Sequence, residues 1–369
     1  MKKYIKWISY MTILILLVTS LAACGSKTAA NTSSTGSKSC CDDPAPVKNV
    51  GTLKVAWFPA TIKASLTSIA YTLGYFKEEG VNVECVTLQT AADAITAAKL
   101  GKVDIVPVGI TGQLQFISEG SNLVIFGGSA MEGGAIITKP ERAKEFSDWN
   151  NWKGKNWATG RSFTGDFVVR DHLRKLGIVP EKDVKVIDLS EDTAIIQAVS
   201  KGTADVGYIT SDSVSIAKKM GLSVILKVAD LDPGYPCCRQ TANTESIKNK
   251  RDAFVAYQRA LIRAYKVIQS DHEKAISVMM KLTGQNREYV ETGLYGDYAS
   301  KYNPSPAKKK VEQFYQYLVQ EGVVKNKQAK VEDNIDTSIF KDALNQILKK
   351  YPNDQDYLGL KAFSDENDN

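Results

Sequence analysis

The stretch that decides the fold is ITAAKLGKVDIVPVG at residues 95–109, because it returns as IIQAVSKGTADVGYIT at residues 195–210. Each copy is a helix-spaced apolar run that stops at a glycine (Gly101, Gly202). A short turn, an aspartate (Asp104, Asp205) and a strand-length apolar run follow. A helix that turns straight into a buried strand, found twice, predicts two blocks of one α/β architecture.

The flanking sequence fits that plan. Leu53–Phe58 reads as a strand closed by Pro59, and Ser65–Phe76 has apolar residues at 66, 69, 70 and 73, the spacing of an amphipathic helix. Val81–Val86 alternates as a strand, Ala91–Leu100 is a helix, and Asp104–Val108 and Leu123–Phe126 are buried-type strands. The second block repeats the order. Strands are predicted at Lys155–Thr159, Val184–Ile187, Asp205–Ile209 and Ser223–Leu226, with helices at Asp166–Leu176, Thr193–Lys201 and Ser213–Met220. Beyond Glu245 only helices are predicted: Ile247–Ser270, His272–Leu282, Glu288–Tyr298, Ala307–Glu321 and Ser338–Lys350.

The N-terminus adds an address. Lys2, Lys3 and Lys6 precede an apolar run from Trp7 to Val18, too short to span a bilayer and suited to a secretory signal. Leu21-Ala22-Ala23-Cys24-Gly25 is similar to a bacterial lipobox, which implies lipidation of Cys24. Residues 25–50 are rich in Ser, Thr, Gly, Ala and Lys and hold little to bury, so they read as a tether. Cys40 and Cys41 fall within it as incidental thiols or a local disulfide. The net charge of +6 drops to +3 without the three signal lysines, and the remaining lysines are scattered, which argues against nucleic acid. The expected product is an exported, lipid-anchored protein with no nucleic-acid partner.

In open parallel sheets ligands bind beyond the carboxyl ends of the strands. With two blocks facing each other, those ends meet in a cleft. The first block offers Phe58, Ala60, Thr61, Gln89, Gly109 and Thr111 there, and the second Arg161, Ser162, Thr164 and Asp212. Helix N-termini in these loops attract anions, and Arg161 and Arg239 could add forked donors. Each loop also reads as plain capping, and each arginine as a surface or inter-loop ion pair. Asp166 and Asp212 keep an amine or amidine ligand open. Gly127 and Gly128 read as a hinge between blocks, or as a tight turn. DPGYPCCRQTAN at residues 232–243 puts Cys237, Cys238 and Arg239 in a non-helical loop at the cleft or the crossing. The two cysteines read as core filling, a ligand wall, a vicinal disulfide or a soft-metal site.

At this point the chain resembles the solute-binding lipoproteins of nitrate/sulfonate/taurine-type ABC importers. The resemblance rests on LKVAWFPATIKASLTSIAYTLGYFKEEGVNVECVTL, above all Gly74–Glu84. It continues through AADAITAAKLGKVDIVPVGITGQLQFISEGSNLVIFGG and WKGKNWATGRSFTGDFVVRDHLRKLGI, spanning roughly Gly51 to Ala242. It implies a two-lobe, type II periplasmic-binding-protein-like α/β fold with the ligand cleft between lobes and a helical C-terminal tail. The implied layout is 1–23 signal, 24–50 tether, 51–128 and 129–230 the two lobes, and 231–369 a return crossing with helices packed on the first lobe. It further implies a monomer that captures a small, anionic solute by lobe closure and passes it to an ABC permease and its ATPase.

Relatives in the same superfamily bind thiamine-pyrimidine precursors, and an enzyme group making pyrimidines carries a cysteine cluster near this point. Cys237-Cys238 departs from that longer run. His172 and His272 fall within predicted helices, and no HExxH, P-loop, GxSxG or paired CxxC occurs. No catalytic residue, metal or cofactor is therefore expected. An exported enzyme and a two-lobe sensor stand as the alternatives.

Overall fold

The computed structural model describes residues 48–58 and 61–369. The expectations for the signal, Cys24, Cys40, Cys41 and Ala60 lie outside the described residues. The strands, in chain order, are β1 (Gly51–Trp57), β2 (Val81–Thr87), β3 (Ile105–Gly109), β4 (Leu123–Gly128), β5 (Ala130–Met131) and β6 (Gly134–Thr138). They continue with β7 (Asn156–Thr159), β8 (Lys185–Asp188), β9 (Val206–Thr210), β10 (Ser223–Lys227), β11 (Cys238–Asn243) and β12 (Lys301–Tyr302).

Two five-stranded sheets share one plan. The first runs β2-β1-β3-β11-β4 and the second, read from β8, runs β8-β7-β9-β6-β10. In each, the block's first strand pairs parallel with its second and third, and one antiparallel strand is wedged between third and fourth. The wedged strands are β6 and β11, the first strands formed after the chain crosses from one lobe to the other and back. Each lobe is thus completed by a crossing segment. The crossings lie side by side: Cys237 N donates to Ala130 O at 3.2 Å, Glu132 N to Tyr235 O at 2.9 Å, and Ser129 N to Cys238 O at 3.2 Å.

The repeated aspartate explains why the phrase recurs. Asp104 N donates to Lys54 O (2.7 Å), and its carboxylate accepts from Lys54 N (2.8 Å). Asp205 N donates to Asn156 O (2.8 Å), and its carboxylate accepts from Asn156 N (2.8 Å). In both lobes this aspartate clamps the first strand to the third. Asp104 is nearly buried and also accepts from Ser246 Oγ (2.7 Å) and Lys250 Nζ (2.9 Å). Asp104→Ala is expected to cost about 2–3 kcal/mol, since a buried charged acceptor is lost and Lys54 N is left unpaired. Chemical denaturation of the variant measures this.

Two strands run against the sequence reading. No strand is predicted from the sequence over the β6 residues. DPGYPCCRQTAN was read as a loop, yet from Cys238 onward it is a buried central strand. Beyond Arg239, whose Nε and Nη2 find no partner, the polar run survives there because its side chains are paired. Gln240 bonds Thr67 (3.3 Å) and Tyr257 (3.2 Å), Thr241 bonds Gln113, and Asn243 bonds Ala98 O (3.2 Å). The Ser65–Phe76 helix also breaks at Gly74, whose φ of 76° is left-handed.

The helical tail packs on both lobes rather than the first alone. Helix Thr244–Ser270 lies against the first lobe, with Phe254 edge-on to Phe126 at 5.0 Å. Helix Lys308–Gln320 instead meets helix Thr164–Lys175 of the second lobe, with Phe314 edge-on to Phe167 at 5.8 Å. Just past it, Glu321 pairs with Arg170 (3.2 Å) and Arg174 (2.5 Å). Among the described residues no helix is long and apolar enough to cross a membrane.

Candidate functional site

The carboxyl ends of β1, β2 and β3 form a pocket of about 560 Å³. Trp57, Phe58, Leu88 and Val108 wall it, Thr61, Gln89 and Gly109 add its polar edge, and Lys63 and Cys238 reach it from the crossing side. Lys63 is held there by its backbone. Thr61 Oγ1 accepts from Lys63 N (3.3 Å), Ser129 Oγ donates to Lys63 O (3.0 Å), and Tyr302 OH donates to the preceding Ile62 O (2.9 Å). The turn carrying Lys63 is therefore pinned by a residue of the first crossing and by β12.

From the second lobe, Tyr208 and Asp212 act through space on Lys63, and Thr164 acts on Cys237. Tyr208 sits between Gly134 and Gly165, where a Cβ on either glycine would collide with its ring. The two glycines make the slot that lets Tyr208 reach the cleft. Thr164 opens helix Thr164–Lys175, whose N-terminus has no side-chain cap, although Asp166 N donates to Phe163 O at 3.2 Å. Helix Ile110–Ser118 of the first lobe is likewise uncapped by a side chain, although Ile110 N donates to Cys237 O at 2.9 Å.

Lys63 is the charge around which this cluster is arranged. Burial opposes its ammonium, but Cys237, Asp212, Tyr208 and Cys238 together hold its pKa above the ordinary lysine value. These are through-space effects, and among the described residues no carboxylate lies within ion-pair distance of Lys63 Nζ. No disulfide joins Cys237 and Cys238, whose Sγ atoms lie 3.6 Å apart. A hydrogen bond from Cys238 is the main cause that brings the Cys237 thiol down to about 6; Lys63 and Thr164 reinforce it against burial and Asp212. The same hydrogen bond and burial push Cys238 well up.

The sequence-predicted residues divide accordingly. The structure brings Phe58, Thr61, Gln89, Gly109, Thr164, Asp212, Cys237 and Cys238 to the pocket or the Lys63 cluster. Thr111 is buried one residue inside its helix, with Oγ1 unpaired. Ser162 is exposed in a turn.

Arg161 turns to solvent and pairs with Glu181 at 2.7 Å and Asp188 at 3.7 Å, away from Lys63. Arg239 is corrected more strongly. As a residue of β11 it is fully buried, and its Nη1 donates to Cys238 O (2.8 Å) and Ala130 O (3.2 Å). Burial brings its pKa down to about 10 despite the nearby thiols and Asp368. Asp166, also considered for an amine ligand, is buried against Arg170 (2.6 Å) and Thr159 (2.9 Å). Gly127 and Gly128 are not a loop but the last residues of β4, paired with Gln240 and Arg239. They are required by close approach, since a Cβ at Gly128 would collide with the Ser305 and Asn303 carbonyl oxygens.

The sequence reading missed Lys63. Its signal was a lone lysine just after the Pro59–Thr61 strand end, inside an otherwise apolar stretch.

Two lobes of one topology, joined by paired crossings and meeting over a pocket at their strand ends, define a periplasmic-binding-protein-like fold. The chain belongs to the NMT1/THI5-like family, whose model matches residues 65–275. A Bacillus subtilis (strain 168) chain named "Putative binding protein YtlA" is 24% identical over 237 residues, 62% of this chain and 70% of that one. Among solved structures, the aliphatic sulphonate-binding protein SsuA of Escherichia coli superposes with a TM-score of 0.65 at 16% identity, covering 77% of this chain and 91% of that one. The nitrate-binding protein NrtA of Synechocystis PCC 6803 gives 0.66 at 14% identity, covering 80% and 89%. At such identities the structural likeness speaks for the fold.

Proposed function

We propose that this protein is an extracytoplasmic solute-binding lipoprotein that captures a small organic anion between its lobes and delivers it to an ABC importer. The observation that carries the reading is Lys63, a cleft ammonium with no carboxylate within ion-pair distance among the described residues, lining an aromatic-walled pocket. An acid group of the solute would meet Lys63 and the uncapped helix at Thr164, and its organic body would lie on Trp57 and Phe58. This makes an organic acid of the sulfonate or carboxylate kind a better fit than a bare inorganic ion, which would leave the apolar walls unused.

Closure follows from the same geometry. Lys63 belongs to one lobe and Thr164, Tyr208 and Asp212 to the other, so a solute touching both favours the state in which they meet. Cys24 would hold the protein at the extracytoplasmic membrane face while the lobes pass solute to a permease. Cys24→Ala is accordingly expected to move the protein from the membrane fraction to the soluble fraction on cell fractionation.

A second reading is favoured by one observation. The aromatic walls beside Asp212 and the thiols would also suit a flat heterocycle such as a thiamine-pyrimidine precursor. Thermal-shift titration of purified protein with alkanesulfonates, small carboxylates, nitrate and aminopyrimidines separates the readings. An organic acid is expected to raise the melting temperature, and Lys63→Met to weaken its binding on the order of a hundredfold. Stabilisation by pyrimidines alone, undiminished in Lys63→Met, would favour the second reading and overturn the first.

A further inference from the structure

The cleft contains chemistry that solute capture does not use. Cys237 and Cys238 are adjacent in sequence, unpaired with any other cysteine among the described residues, and only 7% and 8% exposed. Their sulfurs lie 3.6 Å apart. Closing that gap to the about 2.05 Å of a disulfide requires the 237–238 peptide to twist as well as the two side chains to turn, because adjacent Cα atoms lie about 3.8 Å apart, closer than ordinary disulfides have them. Cys238 lines the pocket together with Lys63, and Lys63 and Thr164 both act to lower the Cys237 thiol.

We propose that Cys237 and Cys238 form a thiol–disulfide exchange site that accepts small organic disulfides and closes to a vicinal disulfide inside the cleft. The proposal does not depend on which solute the protein carries. The two thiols are already divided by role. Cys237 is the nucleophile, because a hydrogen bond from its neighbour, a fixed cation and a hydroxyl stabilise its thiolate. Cys238, held as the thiol, is the resolving group. Cys85 has no such setting: burial pushes its thiol up, and its polar neighbour is Tyr71.

The chemistry balances. The Cys237 thiolate attacks one sulfur of RSSR, the RS–SR bond breaks, and the first RS⁻ leaves and takes a proton from solvent. Cys238 then gives its proton to solvent and attacks the Cys237 sulfur of the mixed disulfide. The second RS⁻ leaves and is protonated in turn. The protein loses two electrons and two protons, and one RSSR becomes two RSH.

The test uses the purified full chain, reduced and freed of reductant, then exposed to excess oxidised glutathione at neutral pH. Acid quenching, alkylation and peptide mass mapping follow, which separate Cys24, Cys40, Cys41 and Cys85 from the pair. In the wild type, the peptide holding Cys237 and Cys238 is expected to lose two hydrogens and take no alkyl group, while Cys85 is still alkylated. Cys238→Ser is expected to stop at one glutathionyl group on Cys237. Cys237→Ser is expected to react at least about tenfold more slowly, because the remaining thiol is not activated. Alanine at either position repeats the comparison if a serine variant does not fold. A wild-type peptide that keeps both thiols alkylatable, or that retains a stable glutathione adduct, would overturn the proposal. Equal reaction rates for the two single variants would also overturn it.

Discussion

Arg170→Met is expected to destabilise the fold by about 3–5 kcal/mol, because it strands a carboxylate that the native structure hides completely. Arg170 is 2% exposed and Asp166 is fully buried. Their contact is 2.6 Å, and Arg170 also reaches Glu181 at 2.7 Å and Glu321 at 3.2 Å. Arg170 is thus the cation shared by the second lobe's first helix and the segment ending helix Lys308–Gln320. Burial already raises the Asp166 carboxyl to about 6, with Arg170 the first of the groups opposing that rise.

Removing Arg170 raises it further, and this fixes the pH dependence. A carboxyl whose folded pKa lies above its unfolded value binds its proton more tightly in the native state. Its ionisation therefore costs stability as pH climbs from the unfolded pKa through the folded one. The deficit of Arg170→Met against wild type is expected to be larger at pH 8 than at pH 5. Urea denaturation at the two pH values measures it, and an equal deficit at both would show that Asp166 is not the stranded group.

Gly128→Ala is expected to cost at least about 3 kcal/mol, the upper end of what overpacking does. The added Cβ would meet the Ser305 and Asn303 carbonyl oxygens, which are backbone atoms with no rotamer to yield. Gly128 N also donates to Pro304 O at 2.8 Å, so the 303–305 segment is bonded where it would have to retreat. Gly127 offers a control of different kind. Its nearest obstacle is the Gln258 side chain, which bonds Phe126 O at 3.3 Å and can rotate away. Gly127→Ala is expected to be the milder of the two by thermal melting. A Gly128→Ala protein as stable as wild type would mean that the 303–305 segment is not held as described.

Most of the fold was legible because its signals are periodic. The repeated helix–Gly–Asp–strand phrase located β3 and β9, and its aspartates turned out to be the clamps that make the phrase worth repeating. What escaped were the two wedged strands. β11 did not look like a central strand because its interior-facing residues are polar, and only the folded partners Thr67, Gln113 and Tyr257 reveal that they are satisfied. The candidate site was half legible for a related reason. Strand ends and glycine-rich loops announce a cleft, so Phe58, Thr61, Gln89 and Gly109 could be chosen by position. Side-chain direction is not written in position. Arg161 and Arg239 looked like the anion-binding cations, but one turned to the Glu181–Asp188 surface and the other into the sheet. The cation that does stand in the cleft is Lys63, fixed by Ser129 on its own carbonyl and by Tyr302 on that of Ile62, contacts that only the tertiary structure supplies.

The cysteine pair changed meaning in the same way. It begins a buried strand at the point where the chain returns to the first lobe, so its sulfurs meet the ammonium of one lobe and the threonine of the other.

In the proposed function, Lys63 holds the acid group of an organic solute between the lobes. This role is tested most directly by mass spectrometry of small molecules released on denaturing protein purified without dialysis, wild type beside Lys63→Met. One organic acid is expected to be released from the wild type in near-stoichiometric amount and to be absent from Lys63→Met. The same molecule recovered equally from both, or a wild-type ligand that carries no acid group, would contradict it.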